Sequence, residues 1–176
     1  MSILKIAKLG HPILLKKTSK VEDFNDHSIK KLIYDMSETM LDAKGIGLAA
    51  PQVHVSKKII IFRIPEEIEN ENNEININVL INPKIELISD ETDNKWEGCL
   101  SIPGMLGLVK RHSKISYEGF DIAGNLIKKT AEGMHARVIQ HEFDHLNGIV
   151  YTQRLADNKA YGYEEEIEEY WKKKHE

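Results

Sequence analysis

Apolar residues at Ile29, Leu32, Ile33, Met36 and Met40 recur at three- and four-residue spacing, which predicts an amphipathic helix that Asn25 or Asp26 is placed to cap. Gly45-Ile46-Gly47, just past Lys44, predicts its stop. The pattern then changes to short apolar runs. Ile59, Ile60, Ile61 and Phe62, within residues 57–63, make the continuous β-branched stretch expected of a buried strand. Residues 75–81, closed by Asn82-Pro83, and residues 84–88, closed by Ser89-Asp90, predict two more strands. Residues 114–120 and 126–131, separated by Asp121-Ile122-Ala123-Gly124-Asn125, predict a hairpin. Ala131-Glu132-Gly133 leads into a second helix, which Asn147-Gly148 ends. Beyond Leu155 the chain is polar, and Tyr163, Ile167, Tyr170 and Trp171 mark one stripe of a terminal helix on which Glu168 and Glu169 precede Lys172 and Lys173 by four. Gly10-His11-Pro12 predicts a turn between extended pieces rather than a helix.

Length and composition narrow the class. A chain of 176 residues with 41% hydrophobic and 30% charged residues suits one globular domain with a real core. No apolar run is long enough to cross a bilayer, and lysines interrupt the opening residues where a signal peptide needs an apolar stretch, so a cytoplasmic location is expected. A net charge of -4 argues against a general nucleic-acid binder. Residues 65–74 are acidic and asparagine-rich, which predicts a solvated loop inside the domain. Cys99 is the sole cysteine, so an internal disulfide is impossible. A buried small hydrophobe, a reactive thiol and a metal ligand all remain open for it.

The second helix carries the chemistry. In Gln140-His141-Glu142-Phe143-Asp144-His145 the two histidines stand four apart, so one helical face presents both imidazoles to a single point, with Glu142 close enough to reach a metal-associated water. An internal-cutting zinc metalloprotease would use the same segment, but it usually needs a third His or Glu downstream, and the 31 residues after His145 offer none as well placed as Cys99. A zinc deaminase needs a cysteine pair that one cysteine cannot supply. A structural metal or ribosome-binding module would leave Gln52 and Glu142 unexplained.

Three segments together are far more specific than the helix alone. Gly45-Ile46-Gly47-Leu48-Ala49-Ala50-Pro51-Gln52, Glu97-Gly98-Cys99-Leu100-Ser101 and Gln140-His141-Glu142-Phe143-Asp144-His145 resemble, in order, the three signature motifs of the peptide deformylases, and the likeness extends over almost the whole chain. The expected fold is α+β, a single catalytic domain over residues 1–176 with antiparallel or mixed sheets around a central metal-binding helix, an N-terminal helix and a C-terminal helix.

The resemblance implies removal of the formyl group from the N-terminal formyl-methionine of new polypeptides, with release of formate. It makes Cys99, His141 and His145 the three ligands of one divalent metal, with iron(II) expected first and zinc or nickel able to take its place, and with a fourth position left for water. Glu142 becomes the general base and then acid, and the Gln52 amide and Leu100 backbone N–H stabilise the developing oxyanion. Gly45, Gly47 and Gly98 let backbone approach the substrate. Ile46, Met134 and Val138, with the stem of His141, are expected to wall the methionine side chain. Glu97 and Arg111 match a pair that braces the metal loop in relatives, although an ordinary ion pair between strands explains them equally. Two positions depart from the pattern: Leu106 stands where some members place an arginine near the bound peptide, and Arg137 stands where several carry an apolar residue. The implied partners are formylated nascent peptides and the ribosome near its exit tunnel, with no sequence-specific nucleic acid and no membrane, and a monomer is expected.

Overall fold

The computed structural model describes residues 2–64 and 76–172. The acidic loop expected over residues 65–74 and the pairing expected of Lys173 lie outside them. In order, the described chain forms α1 (His27–Asp42), β1 (Gly47–Ala49), β2 (Ile59–Phe62), β3 (Asn78–Leu87), β4 (Thr92–Cys99), β5 (Ile102–His112), β6 (Lys114–Phe120), β7 (Leu126–Glu132), α2 (Gly133–Leu146), β8 (Tyr161–Tyr163) and α3 (Glu164–Tyr170). One antiparallel sheet runs β1-β2-β3-β6-β7 and a second runs β4-β5-β8. The fold is α+β, as expected.

The four residues of β2 explain the core. Side chains alternate across a strand, so Ile59 and Ile61 face α1, joining Ile29, Ile33, Met36 and Met40, while Ile60 and Phe62 face α2, joining Ala136, Val138, Ile139 and Leu146. A strand covered by a helix on each side reads as an unbroken apolar run. The second sheet closes over the other flank of α2, with Ile102, Val109, Val150 and Tyr151 in a third cluster. Helix α2 is therefore enclosed, and any polar face it carries is buried.

Asp26 caps α1 by accepting from the Ser28 backbone N–H at 2.8 Å. The helix stops where expected, but Lys44 rather than a glycine takes the left-handed conformation, at φ 54°, and the Gly45 N–H reaches back to the Met40 carbonyl at 2.8 Å. Gly45 is needed for space instead, since a Cβ there would lie 2.9 Å from Leu100 Cδ1.

Three sequence expectations need correcting, and one segment given no element from the sequence takes a definite form. The segment after Gly10 does contain a helical turn, a 3-10 turn over Pro12–Leu15, which the His11 imidazole caps by accepting from the Ile13 N–H. The small apolar segment after Gly45 is a short strand, β1, followed by a 3-10 turn over Ala50–Val53. Asn82-Pro83 does not separate two strands. It makes a bulge inside β3, where the register against β6 shifts between Ile81 and Lys84. Asn82 accepts a positive φ of 52°, and its side chain donates to the Val21 carbonyl and accepts from the Val21 N–H, so the irregularity is a fixed joint with the N-terminal segment. Finally, the region after Leu155 is not one long helix. Tyr161–Tyr163 pairs with β5 as β8, its Tyr163 exposed, and only seven residues form α3, of which Ile167 is buried and Tyr170 exposed. Trp171 meets the Trp96 ring edge-on with centroids 6.1 Å apart. No helix among the described residues is long and apolar enough to cross a membrane.

Candidate metal centre and substrate groove

Strand β4 and helix α2 bring three metal-ligand side chains to one place. One ligand atom each from Cys99, His141 and His145 lies within 4.8 Å of the others, the cluster of this kind found among the described residues. Cys99 Sγ is 3.3 Å from His145 Nε2, and the two imidazole centroids are 5.1 Å apart. One thiolate and two imidazoles fit a divalent transition metal in a tetrahedral arrangement whose fourth position stays open.

His141 is held from behind. Its Nδ1 lies 2.9 Å from Glu97 Oε2, and a carboxylate can only accept, so Nδ1 carries the proton and Nε2 is free to be a ligand. Tyr151 stacks against the same ring at 6.1 Å and 25°, and its hydroxyl donates to the Met105 carbonyl. Burial opposes a second proton on His141, but hydrogen bonds to Cys99 and Glu97 outweigh it and raise its pKa well above the ordinary value, so a cation taken at Nε2 would displace a proton there. His145 has no such support. Burial holds its pKa well below the ordinary value, and its Nδ1 is buried without a hydrogen-bond partner.

Glu97 sits at the hub of a buried ionic network. Arg111 donates to both of its oxygens at 3.0 Å, from Nε to Oε1 and from Nη2 to Oε2, and Arg137 Nη1 donates to Oε1 at 2.7 Å. Arg111 also pairs with Asp144 on α2, which Arg154 holds in turn. Desolvation pushes the Glu97 carboxyl up, but hydrogen bonds from His141 and Arg111 hold its pKa well below the ordinary 4.5. The Glu97–Arg111 pair is thus more than a tie between strands, since it reaches a metal-ligand candidate directly. Arg137, without an evident partner in the sequence, is part of the same hub.

Glu142 faces the cluster from the same helix. It is buried, its Oε2 has no hydrogen-bond partner, and burial raises its pKa to about 7. Gly47 on β1 makes room for it, because a Cβ at that position would lie 2.3 Å from Glu142 Oε1. Gln52 is buried opposite. The Ala49 N–H donates to its Oε1 at 2.8 Å, which turns Nε2 toward Ser101 Oγ at 3.2 Å and Cys99 Sγ at 3.5 Å. The Lys8 ammonium donates to the Leu100 carbonyl, anchoring the turn between β4 and β5.

These groups open onto a groove of about 630 Å³ lined by Gly45, Ile46, Gly47, Gln52, Gly98, Cys99, Leu100, His141 and Glu142 among others. A smaller cavity of about 120 Å³ adjoins it, walled by Ile46, Met134, Val138, His141 and Glu142 together with Trp96, Glu97, Gly98 and Arg137. Every sequence-predicted site residue lies at the cluster, the groove or the cavity. Sequence reasoning missed Ser101, Tyr151 and Trp96, whose side chains meet the site only through the fold, and Glu164, which lines the groove. Ser101 alone carried a signal, its place two residues after Cys99.

The model of the polypeptide deformylases matches residues 3–161 of this chain. Peptide deformylase 1 of Nitrosomonas europaea is 43% identical over 162 residues, covering 92% of each chain. Among solved structures, the peptide deformylase from Thermotoga maritima superposes with a TM-score of 0.81 at 36% identity, over 89% of this chain and 100% of that one. The peptide deformylase from Synechococcus elongatus in complex with actinonin gives 0.80 at 36% identity, over 91% and 85%.

Proposed function

The chain belongs to the polypeptide deformylase family, and we propose that it hydrolyses the N-formyl group of formyl-methionyl nascent peptides, releasing formate. The observation that carries this reading is the meeting, on one groove, of the Cys99, His141 and His145 ligand atoms with the buried Glu142 carboxyl and the Gln52 amide, beside a cavity of about 120 Å³. Residues 1–176 act in this reading as one catalytic unit in the cytoplasm, as a monomer that meets its substrates near the ribosomal exit tunnel.

Cys99, His141 and His145 hold one divalent ion, iron(II) before zinc or nickel. Bound there, such an ion would supply Lewis-acid chemistry and lower the pKa of water. Glu97 fixes the tautomer and direction of His141. Glu142, buried and facing the cluster with its Oε2 unpartnered, can take the proton from the attacking water and return it to the departing amine nitrogen. Gln52 Nε2 points at the cluster because its oxygen is occupied by the Ala49 N–H, so with the Leu100 N–H it can turn a donor from Cys99 Sγ to the negative charge growing on the formyl oxygen. The narrow cavity takes one unbranched apolar side chain, which suits methionine. The wider groove, rimmed by Lys44, Leu106 and Glu164, takes the following residues, and Leu106 offers them an apolar contact.

The direct test is to load the protein anaerobically with iron(II), or with nickel, and measure formate released from formyl-Met-Ala-Ser. Stoichiometric metal with no formate would overturn the assignment.

A further inference from the structure

Arg137 stands on α2 one turn before His141, and its side chain is only 3% exposed. Both of its terminal nitrogens are engaged by β4 and β5. Nη1 donates to Glu97 Oε1 at 2.7 Å and to the Val109 carbonyl at 3.0 Å, while Nη2 donates to the Asp93 carbonyl at 3.1 Å and to the Asp93 carboxylate. Each Glu97 oxygen thereby receives two donors: Arg111 Nε and Arg137 Nη1 on Oε1, Arg111 Nη2 and His141 Nδ1 on Oε2.

A rigid planar fork is the reason an arginine serves here, since one terminal nitrogen goes to Glu97 and the other to Asp93. Asp93 and Glu97 lie four residues apart on β4, the strand that ends at Cys99, and Arg137 holds both from the helix that carries His141 and His145. Three carboxylates (Asp93, Glu97, Asp144) face three guanidiniums (Arg111, Arg137, Arg154) in the network. Without the Arg137 cation, Glu97 keeps a buried charge with one donor fewer, and β4 loses its side-chain tie to the start of α2.

We propose that Arg137 is a positioning residue of the metal centre, locking the Cys99 strand and the Glu97 carboxylate to the histidine helix and so setting how strongly the Cys-His-His set holds its ion. The inference rests on the metal-hydrolase reading above. The competing role is simpler, because Arg137 also walls the 120 Å³ cavity and could serve only to shape it.

Metal retention separates the two roles. Purified Arg137→Met, Arg137→Lys and Asp93→Asn are loaded with cobalt(II), titrated against a chromophoric chelator, examined in the visible for the ligand-field bands, and assayed on formyl-Met-Ala-Ser. Arg137→Met is expected to hold cobalt at least about tenfold more weakly, the scale for loss of a group supporting a ligand. Its bands shift, and kcat falls with KM nearly unchanged. Arg137→Lys, which keeps the charge but loses the fork, falls between it and the wild type. Asp93 is partly exposed and touches no proposed ligand, so Asp93→Asn folds and shows a smaller loss in the same direction. Wild-type affinity and bands in Arg137→Met, or a raised KM as its only change, would reduce the residue to a cavity wall. If Arg137→Met fails to fold, unchanged cobalt affinity in Asp93→Asn overturns the proposal. Wild-type protein that binds no cobalt defeats the metal reading itself, a result distinct from either.

Discussion

The carboxylate of Glu97 accepts a hydrogen bond from His141 Nδ1 at 2.9 Å while both of its oxygens are also held by Arg111. One buried carboxylate thus neutralises guanidinium charge and orients an imidazole. Replacing it by the isosteric Glu97→Gln leaves Arg111 and Arg137 buried with too little negative charge between them. The expected loss is roughly 3 to 5 kcal/mol of unfolding free energy, the cost of breaking a buried ion pair from one side. Urea denaturation of the two proteins with matched metal content measures it, and a difference within error would remove Glu97 from the structural account.

The same group makes stability depend on pH. Its folded pKa lies well below the ordinary 4.5, so its contribution is fully present above about pH 4.5 and is lost as the pH falls through the folded value. Wild-type protein should lose stability progressively below that point. Glu97→Gln lacks this component and should show a shallower acid slope. Denaturant midpoints in a pH series check this, and parallel curves would refute it.

Glu142→Ala should keep its metal and lose turnover by about 10²- to 10⁴-fold, the usual contribution of a positioned general base. Metal analysis beside the formate assay distinguishes this from a structural role, in which both would disappear together.

Gly47→Ala tests the space made for that carboxylate. A Cβ 2.3 Å from Glu142 Oε1 must displace it, and a shift on the order of 1 Å costs about 10²-fold in rate. The variant should therefore bind metal normally and turn over slowly. Wild-type kcat would mean that Glu142 works from another rotamer.

Cys99→Ser exchanges a soft thiolate for a hydroxyl and should weaken or change metal binding. Unaltered metal content with full activity would rule the residue out as a ligand.

Much of this was legible beforehand, for reasons that particular residues make clear. The stripe of Ile29, Ile33, Met36 and Met40 and the run from Ile59 to Phe62 face apolar neighbours, so their periods report their elements directly. Strands β4 and β5 were only dimly visible, because they turn Glu97 and Arg111 inward where an amphipathic pattern expects apolar side chains. Asn82-Pro83 looked like a stop because its repair is remote, in hydrogen bonds to Val21. At the site, spacing along α2 pointed to His141, Glu142 and His145. The roles of Arg137 and Tyr151 could not be read that way, since their partners lie on β4, β5 and beyond, brought near only by folding.

The approach of Cys99 Sγ to within 3.3 Å of His145 Nε2 joins residues 46 apart in sequence, one on a hairpin and one on a helix. A cation grasped by both closes that stretch of chain much as a disulfide would, in a protein whose single cysteine can form none. By the same chain-entropy reasoning, a loop of this length corresponds to about 4 kcal/mol at the limit of a permanent link. Chelation should then do more than silence catalysis: it should unclasp the β4–β5 hairpin from α2, lower the melting temperature, and make the chain an easier substrate for proteases.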